Sequence, residues 1–460
     1  MTRHIMQRAA NLRTAALRAV CVAAFAFAAQ HAAAQPPAAA AAGKMVVYRT
    51  HAGDTLYDIA ARYLQGTDDW QLLQQINGVP APKRLQPGIA LKLPVARLRK
   101  EKLTARVVAV QGAAERASGN NVAGNVFSPL ASDATLAEGD RVRTGPNGFV
   151  TLELSDGTHM SLPPDSQLDL KSLRRTVLTG TLDREFELTR GSVESEVTHL
   201  KKRDDRFQIR SPSVVAGVRG TRFRVNYDAA GTASTRVEVL DGTVGVAGGR
   251  QSATPTLVHA NFGSVATASG AVGAPVELLP APALAHPDKV QDEPDVTFDV
   301  APLEQAHAYR VQLAHDAGLL DLFRETRTDS PRAVFRNVPN GNYFVRVAAI
   351  DANGLEGQPR TYAFERRAMG LDASASPGAS GYEFRWSPNG AGKGARYRFV
   401  LSRSKDLSAP VVDQVGLHAR QITVAHLPPG DYFWAVTVEE FEGGKFYEKT
   451  SPVGAFTLSR

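Results

Sequence analysis

Nine histidines follow residue 34: His51, His159, His199, His259, His286, His307, His315, His418 and His426. None stands in an H-E-x-x-H motif and none is closely paired, so zinc ligands would have to converge from distant strands. A serine hydrolase usually shows G-x-S-x-G, which is missing. The single cysteine, Cys21, lies in an apolar stretch close to the N-terminus, and thiol chemistry drops out once that stretch is removed. Carboxylate pairs for glycoside cleavage can be drawn from 46 acids, but no helical lysozyme-like segment is present to hold them. Gly390-Ala391-Gly392-Lys393-Gly394 lacks the spacing and the Ser/Thr of a phosphate-binding loop and reads as a hairpin loop. In Arg219-Gly220-Thr221 the Arg can pair with an acid, yet a turn held by side-chain hydrogen bonds is the favoured reading. The residue types predict no enzyme, no metal and no cofactor.

The elements that carry these residues follow from length and composition. At roughly 150 residues per domain, 460 residues suggest about three domains. No apolar run reaches the ~18 residues that would span a bilayer. Arg3, Arg8, Arg13 and Arg18 precede an apolar run from Ala19 to Ala29, and Ala32-Ala33-Ala34 fits a cleavage site, so residues 1–34 are predicted to be a signal peptide. Cleavage leaves 49 of the 53 basic side chains against 46 acidic ones, a net of +3, and no integral membrane segment. That balance gives no reason to invoke nucleic acid. The expected location is periplasmic or secreted.

After an Ala/Pro linker, residues 35–44, the pattern changes. Val46-Val47-Tyr48 reads as a strand; Thr55 with Asp58 makes a helix-capping pair, and Leu56, Ile59, Ala60 and Tyr63 give one apolar helical face. A second helix is predicted from Asp68 through Trp70, Leu73 and Ile76, ended by Asn77-Gly78. Leu85-Gln86-Pro87-Gly88 forms a turn, and Leu91, Leu93 and Pro94 close the unit as a second strand. This βααβ order resembles the LysM family, through Tyr48, Gly53-Asp54-Thr55-Leu56, Ile59-Ala60, Tyr63, Trp70, Leu73, Asn77 and Leu85-x-Pro87-Gly88-x-x-Leu91-x-Leu93-Pro94. The resemblance implies binding of N-acetylglucosamine polymers such as peptidoglycan. The implied groove lies between two loops, here Gly53, Asp54, Thr55 and Leu56, and Ile76, Asn77, Gly78 and Val79. An acetamido group offers a donor, an acceptor and a methyl, which backbone amides and a small apolar pocket can read. Leu56, Ile59, Trp70 and Leu73 are expected mainly as core, and Asp54 and Thr55 are divided between capping and ligand contact.

From Ala105 to about Ala268 the apolar residues alternate and no helical period appears, which predicts an all-β sandwich, barrel or roll. Hairpins are expected at Ser155-Asp156-Gly157-Thr158 and at Asp241-Gly242-Thr243. Leu136-x-x-Gly139-Asp140-x-Val142-x-Thr144-Gly145, Leu152-x-Leu154-x-Asp156-Gly157-Thr158, Arg190-Gly191, Val218-Arg219-Gly220-Thr221-x-Phe223 and Leu240-Asp241-Gly242 resemble the FecR domain family. Members of that family include periplasmic portions of sigma-factor regulators. This chain lacks the transmembrane helix and sigma-binding segment of that arrangement, so the resemblance carries fold and compartment rather than a ligand.

Beyond the Pro/Ala-rich Leu278–Pro287, a strand pattern occurs twice: Val338-Pro339-Asn340-Gly341-x-Tyr343-x-Val345 parallels Leu427-Pro428-Pro429-Gly430-x-Tyr432-x-Trp434, 89 residues on. Two β-sandwiches are predicted, similar to fibronectin type III domains, with Tyr343 and Trp386 in their cores. The whole reads as a mainly β multidomain protein with LysM at 45–95, FecR-type at 105–270 and sandwiches at 290–367 and 370–460. The expected function is non-catalytic attachment to peptidoglycan as an envelope scaffold. The alternatives are a FecR-like envelope sensor or regulator with a protein partner in the envelope, and a cell-wall hydrolase or its activator.

Overall fold

The computed structural model describes residues 43–119, 126–229, 233–249, 254–390 and 394–459. The expected signal peptide with Cys21, most of the linker before Gly43, and Ala391-Gly392-Lys393 lie outside the described residues. The first unit pairs β1 (Met45–Arg49) antiparallel with β2 (Ala90–Pro94), from Met45 opposite Pro94 to Arg49 opposite Ala90. Between them run α1 (Leu56–Tyr63) and α2 (Trp70–Asn77). Thr55 caps α1, its hydroxyl accepting from the Asp58 N–H at 3.0 Å. The start expected at Asp68 is a 3-10 turn, Thr67–Asp69, and α2 begins at Trp70. The cause is Asp69, whose carboxylate accepts from the Gly66 N–H at 3.1 Å and tightens the chain ahead of the helix. Leu56, Ile59, Ala60, Leu64, Leu73, Leu91 and Leu93 form a closed core. Each buried Leu or Ile there contributes about 1.5–3 kcal/mol. Trp70 is half-buried at its edge, its ring tilted 35° against Tyr57 with centroids 4.4 Å apart.

From β3 (Lys100–Lys102) to Val276–Glu277 the described residues are strand and turn, closed into a roll. Its two curved sheets share the strand Leu182–Val197. The first half of that strand pairs with Gln167–Thr176 and, in parallel, with Arg206–Arg210; the second half pairs with His159–Leu162 and Thr221–Tyr227. The changeover falls near Gly191, at φ +74°, where a Cβ would lie 2.6 Å from the Asp165 carbonyl oxygen. Phe186, Phe207 and Phe223 pack in series through the interior, the first pair tilted and the second edge-to-face, with centroids 5.4 and 6.4 Å apart.

Ser155–Thr158 is a true hairpin, since Phe149–Leu154 pairs with His159–Leu162. Asp241-Gly242-Thr243 is not, and that expectation is corrected. Thr235–Asp241 pairs with Thr221–Tyr227 and Phe262–Ala266 in one sheet, while Thr243–Gly248 pairs with Val214–Val218 and Thr256–His259 in the other. Gly242 is a corner between sheets, packed so closely on a second corner at Gly220 that a Cβ would come within 2.7 Å of the Gly220 carbonyl oxygen. Arg219 supports that second corner by donating to the carbonyls of Arg203 and Lys202 at 3.1 and 3.3 Å.

The C-terminal half forms two β-sandwiches. In the first, Val296–Asp299 with Arg332–Phe335 faces a sheet in the order Leu322–Thr328, Ala308–Ala314, Gly341–Ile350, Arg360–Arg366. In the second, Gly370–Gly378, Gly381–Asn389 and Gln421–Val424 face a sheet centred on Gly430–Glu442. Tyr343 and Trp386 are buried. Both copies use one device at the repeated turn: the Tyr343 and Tyr432 hydroxyls donate to the carbonyls of Pro339 and Pro428, at 3.1 and 2.7 Å.

The units are not beads on free linkers. The base of the first module joins the roll through a Leu64–Leu98 bridge and an Arg99 N–H donated to the Tyr63 carbonyl at 2.7 Å, and Leu178 of the roll packs on the module's core. Leu279 and Leu284, in the Pro/Ala-rich stretch, are part of the first sandwich's core. Phe149 of the roll packs with Ala314, Leu319 and Leu322 of that sandwich. Beside it lies a buried ionic network. Arg346 donates twice to Glu194 at 2.8 Å, and Arg310 donates to Glu356 at 2.9 Å and Glu325 at 2.6 Å. Arg224 pairs with the Glu356 carboxylate and donates to the Glu356 and Gly357 carbonyls at 2.9 and 2.7 Å. Burial alone would raise Glu356, yet Arg224 and Arg310 hold it down to about 2.

Candidate glycan-binding site

Two loops flank the same end of the first module, where β1 leads into α1 and α2 returns towards β2. The Asp54 carboxylate, mostly buried, accepts from the Tyr48 hydroxyl at 2.8 Å and from the His51 N–H at 2.7 Å. Burial opposes its charge, but these two donors hold its pKa below the usual range. Burial and the same bond push Tyr48 up to about 12. Asp54 therefore braces the loop from within. Thr55 is occupied as the α1 cap, and its hydroxyl also donates to Asp58 at 2.7 Å. The Leu56 side chain is fully buried, and its N–H donates to the Pro82 carbonyl at 2.8 Å, tying the first loop to the chain just beyond the second.

In the second loop Asn77 is a clamp. Its amide donates to the carbonyls of Leu73 and Lys92 at 2.9 and 3.0 Å and accepts from the Lys92 N–H at 2.6 Å, locking the end of α2 onto β2. Gly78 sits at φ +60° as the left-handed helix stop, with open space where a Cβ would be. Val79 is held through both backbone groups, its N–H to the Gln74 carbonyl at 3.2 Å and its carbonyl to the Gln74 side chain at 3.1 Å. Of the eight residues singled out, Asp54, Thr55, Leu56 and Asn77 thus turn their side chains inward. What faces outward is the exposed backbone at Gly53 and Gly78, with half-buried Ile76, while half-buried Val79 packs against the module's core.

Two positioning residues escaped the sequence reading. Thr50 donates to the Gln86 carbonyl at 2.6 Å and accepts from the Ile89 N–H at 2.9 Å, which fixes the Pro87-Gly88 turn; Gln74 fixes the second loop. A threonine closing a strand opposite a Pro-Gly turn is the signal for the first. Among the described residues no three His, Cys, Asp or Glu side chains gather as metal ligands, and no helix is long and apolar enough to cross a membrane.

The first unit is a two-stranded sheet backed by two helices, followed by a rolled β-domain. Residues 48–94 match the LysM domain family, and residues 140–245 match the family described as FecR protein. LysM domains bind polymers containing N-acetylglucosamine, and both matched regions are non-catalytic domain types. No curated protein matches the chain. Among solved structures, a protein provisionally described as an anti-sigma factor from Parabacteroides distasonis is 17% identical over 30% of this chain, with a TM-score of 0.24; the chain spans 59% of that structure's length. The FN1-FN3 domains of chicken CNTN1 are 15% identical over 52% of this chain and 98% of theirs, with a TM-score of 0.21. A two-domain fibronectin type III segment of chicken tenascin is 14% identical over 38% of this chain and 97% of its own, with a TM-score of 0.20.

Proposed function

We propose that the protein is a non-catalytic envelope scaffold, periplasmic or secreted, that holds peptidoglycan at the LysM rim and presents β-domains at 105–270, 290–367 and 370–460 behind it. The observation that carries this reading is the rim itself. Side-chain bonds hold the backbone at Gly53–Leu56 and Ile76–Val79 in place, leaving the exposed backbone at Gly53 and Gly78 and a small apolar surface to read acetamido groups. Such a site needs no acid–base pair. A shallow rim gives weak attachment for one module, so retention on the wall depends on several copies engaging together.

The full chain is expected to sediment with peptidoglycan sacculi. Asp54→Ala, which frees the loop, should weaken sedimentation by about tenfold, whereas Asp413→Ala on the far sandwich should leave it unchanged. Equal loss for the two variants refutes the rim. The FecR match at 140–245 favours a second reading, an envelope regulator with a protein partner, for which specific capture of one envelope protein by the chain is the test. Release of soluble muropeptides by the full chain would overturn both in favour of a hydrolase.

A further inference from the structure

At the end of the LysM module opposite the rim, module and roll enclose a groove of about 470 Å³. That is within the size range of sites that hold drug-sized ligands. Its shape is set by the junction, since the Val177 N–H donates to the Arg99 carbonyl at 2.9 Å while Arg99 itself donates to Tyr63. Met45, Val46, Val95 and Leu182 give it an apolar lining, and Thr179 and Thr181 add hydroxyls. Charges of both signs face each other across it. Lys44 from the module pairs with Asp204 of the roll, with side chains 64% and 55% exposed, and Lys100 pairs with Asp183 at 3.2 Å. The exposed Lys44–Asp204 pair is worth about 0–1 kcal/mol, so a ligand carrying its own carboxylate and ammonium can replace it at little cost, whereas Asp183 is also held by Arg206 at 2.9 Å.

We propose that this groove receives the peptide stem of peptidoglycan: a short chain with small apolar side chains, free carboxylates and a diamino-acid ammonium. The inference rests on the glycan reading of the rim and deepens it. Methyl groups of the stem meet Met45, Val46 and Val95; its carboxylates meet Lys44 and Lys100, and its ammonium meets Asp204. Reach agrees with this. Met45 and Val46 themselves line the groove, so residues 47–49 separate it from the first loop, roughly 10 Å at strand rise, and an extended stem of five residues spans about 17 Å. One strand of murein can then be held twice, glycan at the rim and peptide at the base.

The full chain is titrated by calorimetry with three probes: the sugar-free tetrapeptide L-Ala-γ-D-Glu-meso-diaminopimelate-D-Ala, peptide-free chitotetraose, and a muropeptide carrying both parts. The wild type is expected to bind the tetrapeptide, and Lys44→Glu with Lys100→Glu should weaken that binding at least about tenfold while chitotetraose binding is unchanged. Lys44→Gln with Lys100→Gln serves if charge reversal disturbs folding, and methyl NMR shifts on Met45, Val46 and Val95 locate the peptide directly. No tetrapeptide binding, or binding unaffected in both double variants, overturns the groove and leaves the rim standing. Failure of chitotetraose alone sinks the rim, and the tetrapeptide result still decides the groove.

Discussion

Glu238 sits on the roll strand Thr235–Asp241, 2% exposed, and accepts from the Glu356 N–H across the interface at 3.3 Å. Burial, reinforced by the nearby Glu356 charge and only partly offset by Arg224 and Arg236, raises its pKa to about 7. A carboxyl raised from 4.5 to about 7 adds stability that is fully present below pH 4.5 and lost as pH climbs to 7, at about 1.4 kcal/mol per pH unit. The loss totals about 3 kcal/mol. Glu238→Gln keeps a neutral group with an acceptor for the Glu356 N–H but does not titrate. The variant should match the parent near pH 4.5 and exceed it by about 3 kcal/mol at pH 8. For a cooperative unit the size of the roll and first sandwich, that is roughly 6–12 °C in melting temperature. Glu194 and Glu356, both held low by their arginines, lose stability in the opposite sense, as acid is added. They are present in both proteins, so the difference between the two profiles isolates Glu238. Calorimetric melting of the full chain at half-unit steps from pH 4.5 to 8.5 reads it. Parallel profiles, or a variant less stable at pH 8, would refute the reasoning.

Arg346→Ala takes the bidentate partner from buried Glu194 but leaves it Arg222, so it should cost about 2–3 kcal/mol rather than the full cost of an unpaired buried charge; calorimetry should show the roll and first sandwich melting earlier. Asn77→Ala removes three bonds to backbone and should cost the LysM module about 1–3 kcal/mol, read as faster amide hydrogen exchange confined to residues 45–98. Gly191→Ala forces a Cβ to within 2.6 Å of the Asp165 carbonyl oxygen at φ +74° and should destabilise the roll by more than about 2 kcal/mol, detected as a lower melting temperature with the LysM exchange pattern unchanged.

How much of this was legible in the sequence depended on the range of the interaction. The Thr55 cap, the Gly78 stop and the Ser155–Thr158 hairpin are decided within a few residues, and their side-chain types announce them. Asp241-Gly242-Thr243 carries the same turn chemistry as a hairpin. Whether its flanking strands pair with each other or with partners in two sheets is settled by residues 214–227 and 256–266, which no local window contains. At the rim, the pattern located both loops but could not tell that Asp54 and Asn77 turn inward, because Tyr48 and Lys92 reach them only through the strand pairing.

The interface between roll and sandwich was hidden for a different reason. Arg224 alternates with Phe223 and Val225, and Arg346 with Val345 and Val347, so each reads as the solvent face of a half-buried strand. In the folded chain those polar faces meet each other, and Arg224, Arg310, Arg346 and Glu356 are buried without any departure from the period-2 rule. Paired charge at a junction adds little net stability over apolar packing, but a slipped or rotated arrangement would take Arg346 from Glu194 and Arg224 from Glu356, leaving each buried carboxylate only the arginine of its own domain, Arg222 or Arg310. The network therefore favours one orientation of the sandwich on the roll. With the LysM base fixed to the same roll through Arg99 and Leu178, a glycan strand held at the rim, as proposed, would constrain the direction in which the β-domains project. A protein tethered by flexible linkers would bind the wall equally well and impose no such direction.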